Sequence, residues 1–292
     1  MEANAINRES RRARLRAYRH RPLSLLLRLA VTFSAAVTVL VLMALVAYIL
    51  IKGIPNLKPS LFAWEYTTEN ASMLPAVINT ITMTVLSLLM AVPVGVCSAI
   101  YLVEYARRGN KLVSLVRVTA ETLQGIPSIV YGLFGFLFLV VACKFGYSLL
   151  SGAITLAIMI LPLILRTTEE ALRAVPDSFR EGSFGLGAGR LRTVLRIVLP
   201  SAVPGILAGV ILAIGRIVGE TAALIYTSGT VAGVPETLLG SGRTLAVHMY
   251  ALLSNGLYME EAYATAVVLL VMVVGINALS AWLAKKVSAK QR

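Results

Sequence analysis

Charge is scarce in this sequence. Only 14% of its 292 residues are Asp, Glu, Lys or Arg, where a soluble domain carries roughly 25%. Acids are scarcer than bases, 14 against 27. The few charges sit in short islands and leave uncharged runs at 29–51, 70–103, 122–143, 145–165, 197–215 and 262–284. Each run is about long enough to cross a hydrocarbon core of roughly 30 Å as a helix. A soluble fold is thereby excluded, and the pattern predicts an all-α membrane protein with six transmembrane helices. The run 70–103 exceeds one untilted span, so part of it is expected outside the core. Cysteine is nearly absent too. Cys97 and Cys143 offer neither a disulfide framework nor metal-ligand spacing and are expected as apolar packing residues. No Ser/His/Asp or Cys/His grouping suggests catalysis. No G-x-x-x-x-G-K-[ST] stretch is present to cradle nucleotide phosphates.

What is abundant is positive charge in particular places. Of the 27 Lys and Arg, 22 fall in residues 1–28, 104–118, 166–200 and 285–292. The intervening outer segments hold only Lys52, Lys58, Lys144 and Arg243, and Arg216 lies inside a span. This is the positive-inside asymmetry. It puts both termini and the 104–118 and 166–200 loops in the cytoplasm, with 52–74, 144–150 and 227–258 outside. The basic arm 8-RESRRARLRAYRHR-21 is expected to set topology and touch anionic lipid headgroups rather than nucleic acid. The first apolar run has the length of a true span and no convincing small-residue cleavage site, so it is expected to remain as span one.

Polar residues inside the runs are the candidates for a pathway. Asn79 stands among threonines at the outer end of span two and is suited to an interhelical hydrogen bond. Pro93 and Gly95 are expected to kink that span lower down. In 124-QGIPSIVYGLFGF-136, Gly125 and Pro127 break the helix near its start, while Gly132 and Gly135 permit close packing. Broken helices at membrane depth are tolerated where they are buried or line a cavity, which nominates Gln124, Ser128 and Tyr131. Arg243 is a candidate contact for an external protein or anion. His248 is expected as a satisfied interfacial residue.

Span four ends at Arg166, and a polar segment, 167–200, follows. Within it Leu191, Val194, Leu195 and Val198 recur at helical spacing, predicting short amphipathic helices joined by Gly-rich turns. In 181-EGSFGLGAGRLRTVLRIVLP-200, Glu181, Gly182 and Ser183 are followed after three residues by Gly187 and after nine more by Ile197-x-Leu199-Pro200. This resembles the EAA loop of ABC importer permeases, E-A-A-x3-G-x9-I-x-L-P, with two other small residues in place of the alanines. Gly187 permits the turn, and Pro200 fits the first turn of the next helix. Together with 125-GIPSIVYGLFG-135 and 207-LAGVILAIGRIVGETAAL-224, the loop is similar to the phosphate-specific branch of that family, most like its A-type subunits. The resemblance implies a type I ABC importer permease fold and alternating access. It implies coupling through Glu181–Pro200 to a pair of ATP-binding subunits, which carry ATP and Mg. It also implies a second homologous permease and an extracytoplasmic phosphate-binding protein. No cofactor is expected on this chain itself.

One stretch resists the membrane reading. In 212-LAIGRIVGETAALI-225, Arg216 and Glu220 stand four apart in a run of membrane length. On one continuous helix they would share a face. A lone charge at that depth costs at least about 3 kcal/mol, which pairing relieves in part, and one of two competing readings is a buried bridge that fixes helix orientation. The alternative is that Arg216, with Glu220 and Thr221 beside it, offers its donors to a passing oxyanion.

Overall fold

The computed structural model describes residues 22–107 and 109–289. Most of the basic arm therefore lies outside the described residues. The chain divides into two units at Lys52. The first is carried by α1 (Pro22–Gly53), which is apolar on every side and exposed from Leu23 to Tyr48. A helix apolar all round is suited to lipid.

The second unit contains α2 (Leu74–Tyr105), α3 (Lys111–Gln124), α4 (Ser128–Ala142), α5 (Leu149–Arg173), α6 (Asp177–Gly185), α7 (Arg190–Val218), α8 (Ala222–Thr227), α9 (Leu245–Asn255) and α10 (Met259–Ala289). Five helices are long and apolar enough to cross a membrane: α1, α2, α5, α7 and α10. Counted as one span, the α3–α4 pair would make a sixth; it is bent by 103° where Gly125 and Pro127 interrupt it. As 15 residues, α4 rises only about 22 Å, and α3 is too polar to continue the crossing.

α5 forms the axis of this unit, packed against α2, α3, α4, α7 and α8. Around it lies a central core of Met83, Leu156, Ile160, Ile164, Ala213 and Leu224. Apart from it are a second core at the end bearing α6 (the basic end) and a third at the opposite, far end. Close approach depends on glycine at two positions. A Cβ on Gly95 would lie 2.8 Å from the Ile164 side chain, and one on Gly132 would lie 2.7 Å from the Ala223 Cα. Gly95 thus serves contact with α5, while α2 runs without interruption through Pro93. Hydroxyls buried in the bundle donate to the carbonyl one turn back: Thr80 to Ala76, Thr84 to Thr80 and Ser87 to Met83, each at 2.7 Å. Thr155 and Thr227 do the same at 2.8 Å.

Several boundaries differ from expectation. α5 does not stop at Arg166 but continues to Arg173, because Thr168, Glu169 and Leu172 are buried and extend its inner face. α7 begins well before Pro200, at Arg190, and passes through a wide π-turn at Val194–Val198. That turn lies immediately ahead of Pro200, whose missing N–H would leave an ordinary α-turn one bond short. The outer segment 227–258 contains a packed helix, α9, with Thr244 at its N-cap and Gly256 at φ +68° closing its end. Cys97 and Cys143 are free and exposed on the chain rather than packed in its core.

Candidate substrate pathway and coupling surface

The stretch with two opposite charges is not one helix. α7 ends at Val218, the chain turns through Gly219, Glu220 and Thr221, and α8 starts at Ala222. Arg216 and Glu220 therefore do not share a helix face, and no ion pair joins them within 4.0 Å among the described residues. The bridge gives way to a different arrangement. Arg216 occupies the last turn of α7, where the helix dipole favours a cation. Glu220 is 9% exposed and its carboxylate accepts the Ala223 N–H at 3.1 Å, which caps α8. Each charge is thus stabilised by its own helix end. Gly215 accordingly belongs to α7 and Ala223 to α8, with Ala223 seated against Gly132 of α4.

Arg216 makes no ion pair or hydrogen bond to any described residue, and its side chain is half-buried. Beside it, Gly219 is exposed and Thr221 half-exposed, so the break opens on the chain surface. The Tyr131 hydroxyl lies within electrostatic reach of Arg216. It donates to the Leu123 carbonyl at 2.8 Å and so bridges the α3–α4 bend. Gln124 donates to the Pro162 carbonyl of α5 at 3.0 Å. Ser128 opens α4 and is half-buried. The two breaks, 125–127 and 219–221, are brought together by α4 and α8, which pack directly on one another.

Asn79 lies elsewhere. It is fully buried towards the far end and donates to the carbonyls of Gly233 and Arg243 at 3.0 and 3.2 Å. With Thr80, which accepts the Leu245 N–H at 2.8 Å, it fixes the segment leading into α9. Arg243 is only 7% exposed, so it is no surface contact. Its guanidinium stacks 4.6 Å over the Tyr66 ring, and Nε and Nη2 have no acceptor among the described residues. His248 is fully buried rather than interfacial, edge-on to Tyr66, and neither ring nitrogen has a well-formed hydrogen bond. Burial, and then the Arg243 charge, press its pKa down to about 3, so the ring is neutral.

At the basic end, α6 and the start of α7 form a helix–turn–helix. Gly187 sits at φ +79°, the left-handed conformation the turn needs. Ser183 and Thr193 join their hydroxyls across it at 2.8 Å. Glu181 and Gly182 are exposed, while Ile197, Leu199 and Pro200 are half-buried. A Cβ on Gly182 would meet nothing within 4 Å, so its surface is bare for a partner to approach. Beside α6 opens a cavity of about 1060 Å³, lined by Glu104, Arg117, Arg173, Asp177 and Arg180 among others. It is separate from the Arg216 break.

One residue here escaped the sequence reading. Arg180, beside Glu181, donates from Nε and Nη2 to Glu104 at 3.1 and 2.7 Å. From Nη2 and Nη1 it also reaches the carbonyls of Leu172 and Val175 at 2.9 and 2.8 Å, and from Nη1 Asp177 at 3.2 Å. Both members of the Arg180–Glu104 pair are largely buried.

This bundle of interrupted spans, with a surface helix–turn–helix at one end, has the fold of membrane chains in solved ABC transporters. The alginate ABC transporter, solved with its periplasmic protein bound to an alginate pentasaccharide, contains a chain that superposes with a TM-score of 0.68 at 15% identity, covering 93% of this chain and 98% of that one. A chain of the inward-facing MetNI methionine transporter gives 0.59 at 22% identity, covering 74% and 95%. Residues 91–292 match the family described as binding-protein-dependent transport system inner membrane component, and the chain belongs to that family. It is thus a multi-pass permease of the bacterial inner membrane, with the type I ABC importer fold. Among relatives, the probable ABC transporter permease protein YqgI of Bacillus subtilis is 32% identical over 88% of this chain and 93% of its own length. The phosphate transport system permease protein PstA of Mycobacterium leprae is 35% identical over 69% of this chain and 67% of its own.

Proposed function

We propose that this permease carries inorganic phosphate inward, driven by ATP. It works by alternating access with a second homologous permease. An ATP-binding subunit pair meets α6 and the α6–α7 turn at the cytoplasmic face and supplies ATP and Mg. An extracytoplasmic phosphate-binding protein delivers the ion at the other side. Both termini then lie in the cytoplasm, a reading supported by the distribution of Lys and Arg.

The observation that carries the substrate is Arg216. It is a half-buried guanidinium at an open break, with no carboxylate in ion-pair range among the described residues. An oxyanion meets that need with acceptors in the planar geometry a guanidinium presents. Glu220, held in its cap, keeps a negative charge within a few residues and limits how tightly an anion is retained. The likeness to phosphate permeases at 35% identity supports phosphate within the oxyanion class. The test is uptake of radiolabelled phosphate into proteoliposomes that contain the whole complex. Half-maximal competition is measured with unlabelled phosphate, sulfate, molybdate and phosphonate. Phosphate should compete at least tenfold better than the others. Stronger competition by any of them would transfer the assignment to that anion.

A further inference from the structure

We propose that Arg180 and Glu104 are the positioning residues through which movement of the surface helix α6 reaches span α2. The inference rests on the reading of the chain as an ATPase-coupled permease. α6 is joined to α5 covalently through Ala174–Pro176 and to the start of α7 through Ser183 and Thr193. To α2, the remaining member of this corner, its polar contact among the described residues is the Arg180–Glu104 pair. The guanidinium is fully used. Nε and Nη2 grip the carboxylate of α2, while Nη2 and Nη1 hold the Leu172 and Val175 carbonyls at the end of α5.

The site is built on both sides. α2 ends in a π-turn, Tyr101–Tyr105, in which the Ala106 N–H reaches back to the Tyr101 carbonyl at 2.9 Å. Such turns re-aim a side chain and gather at functional positions, and this one presents Glu104 to α6. On the α5 side, the Leu172 carbonyl belongs to the closing turn, where helix ends leave acceptors unfilled, and the Val175 carbonyl to the connection just after it. The pair is 14% and 8% exposed at its side chains and forms one wall of the basic-end cavity. Solvent therefore screens it less than a surface pair. Lysine would not replace the arginine. Its donors radiate from one atom and cannot reach a carboxylate and two carbonyls set around a planar fork.

The experiment uses the complete complex in proteoliposomes with Arg180→Lys or Glu104→Gln. The second variant keeps the shape and removes only the charge. Two readings are taken: phosphate transported per ATP hydrolysed, and N-ethylmaleimide labelling of the native Cys97 on α2, compared between nucleotide-free and ATP-trapped states in a Cys143→Ala background. Both variants should co-purify with the ATPase and keep basal hydrolysis. Phosphate per ATP should fall at least tenfold, and the ATP-dependent change in Cys97 labelling should disappear. Wild-type coupling and labelling in both variants would overturn the proposal. So would a parent complex whose Cys97 labelling ignores ATP, since α2 would then not respond to the ATPase. If the parent takes up no phosphate, the substrate assignment fails, while the Cys97 reading still judges Arg180 and Glu104.

Discussion

Arg180 and Arg216 are the same chemical group in opposite circumstances. At the basic end, every nitrogen of Arg180 finds an acceptor inside the chain. At the break between α7 and α8, Arg216 finds none among the described residues. A guanidinium whose donors are all filled cannot accept a passenger and can only transmit position. One whose donors are open is costly to keep in a membrane, and the fold tolerates it by placing it on a helix end and beside exposed chain. The first is finished by the chain itself, and the second is left open by it.

The sharpest way to break this contrast is Arg216→Ala. Uptake by the reconstituted complex should fall at least a hundredfold while assembly and basal ATP hydrolysis persist. Normal uptake would reduce Arg216 to a structural residue. A smaller effect is expected at the seat of the break. Gly132→Ala places a methyl group 2.7 Å from the Ala223 Cα, against backbone that cannot swing aside. It should cost about 1–3 kcal/mol, as overpacked sites do, seen as a lower melting temperature of the detergent-solubilised complex. An unchanged melting temperature would mean that α4 and α8 are not held in contact.

A third arginine, Arg243, sharpens the comparison at the far end, where its neighbour His248 titrates. The folded pKa of His248 is about 3, below the ordinary 6.5. The unfolded chain therefore takes up this proton first as acid is added. The fold loses stability as pH drops from 6.5 towards 3, with a slope no steeper than about 1.4 kcal/mol per pH unit from this group. Denaturation midpoints between pH 7 and 5 should fall more steeply in the native chain than in His248→Gln. Identical slopes would show that His248 is not buried in the neutral form.

Much of this molecule is legible as a string, and the reasons are local. Uncharged runs of membrane length gave the spans, and Gly125 with Pro127 marked the α3–α4 bend because both residues act on their own backbone. Gly187 marked the turn for the same reason. Other features depend on residues distant in sequence. Arg180 meets Glu104 across 76 positions, and nothing near either residue announces the other. Asn79 fixes carbonyls more than 150 positions away. The break at 219–221 escaped for a subtler reason. Glycine, glutamate and threonine without proline read as a tolerable interruption of a helix, so helical spacing suggested an Arg216–Glu220 bridge. Only in the fold does Glu220 turn to cap the next helix. Arg243 and His248 read as surface residues because polarity predicts exposure in general, and here the far-end core closes over them.

The buried hydroxyls of the bundle bear on how closely its helices can meet. Thr80, Thr84, Ser87, Thr155 and Thr227 each give their proton to the carbonyl one turn behind. A hydroxyl engaged in this way shows its surroundings lone pairs and no proton. Inside a packed bundle, that leaves these five groups with no proton in search of a partner, so the helices bearing them can close on one another without water between them.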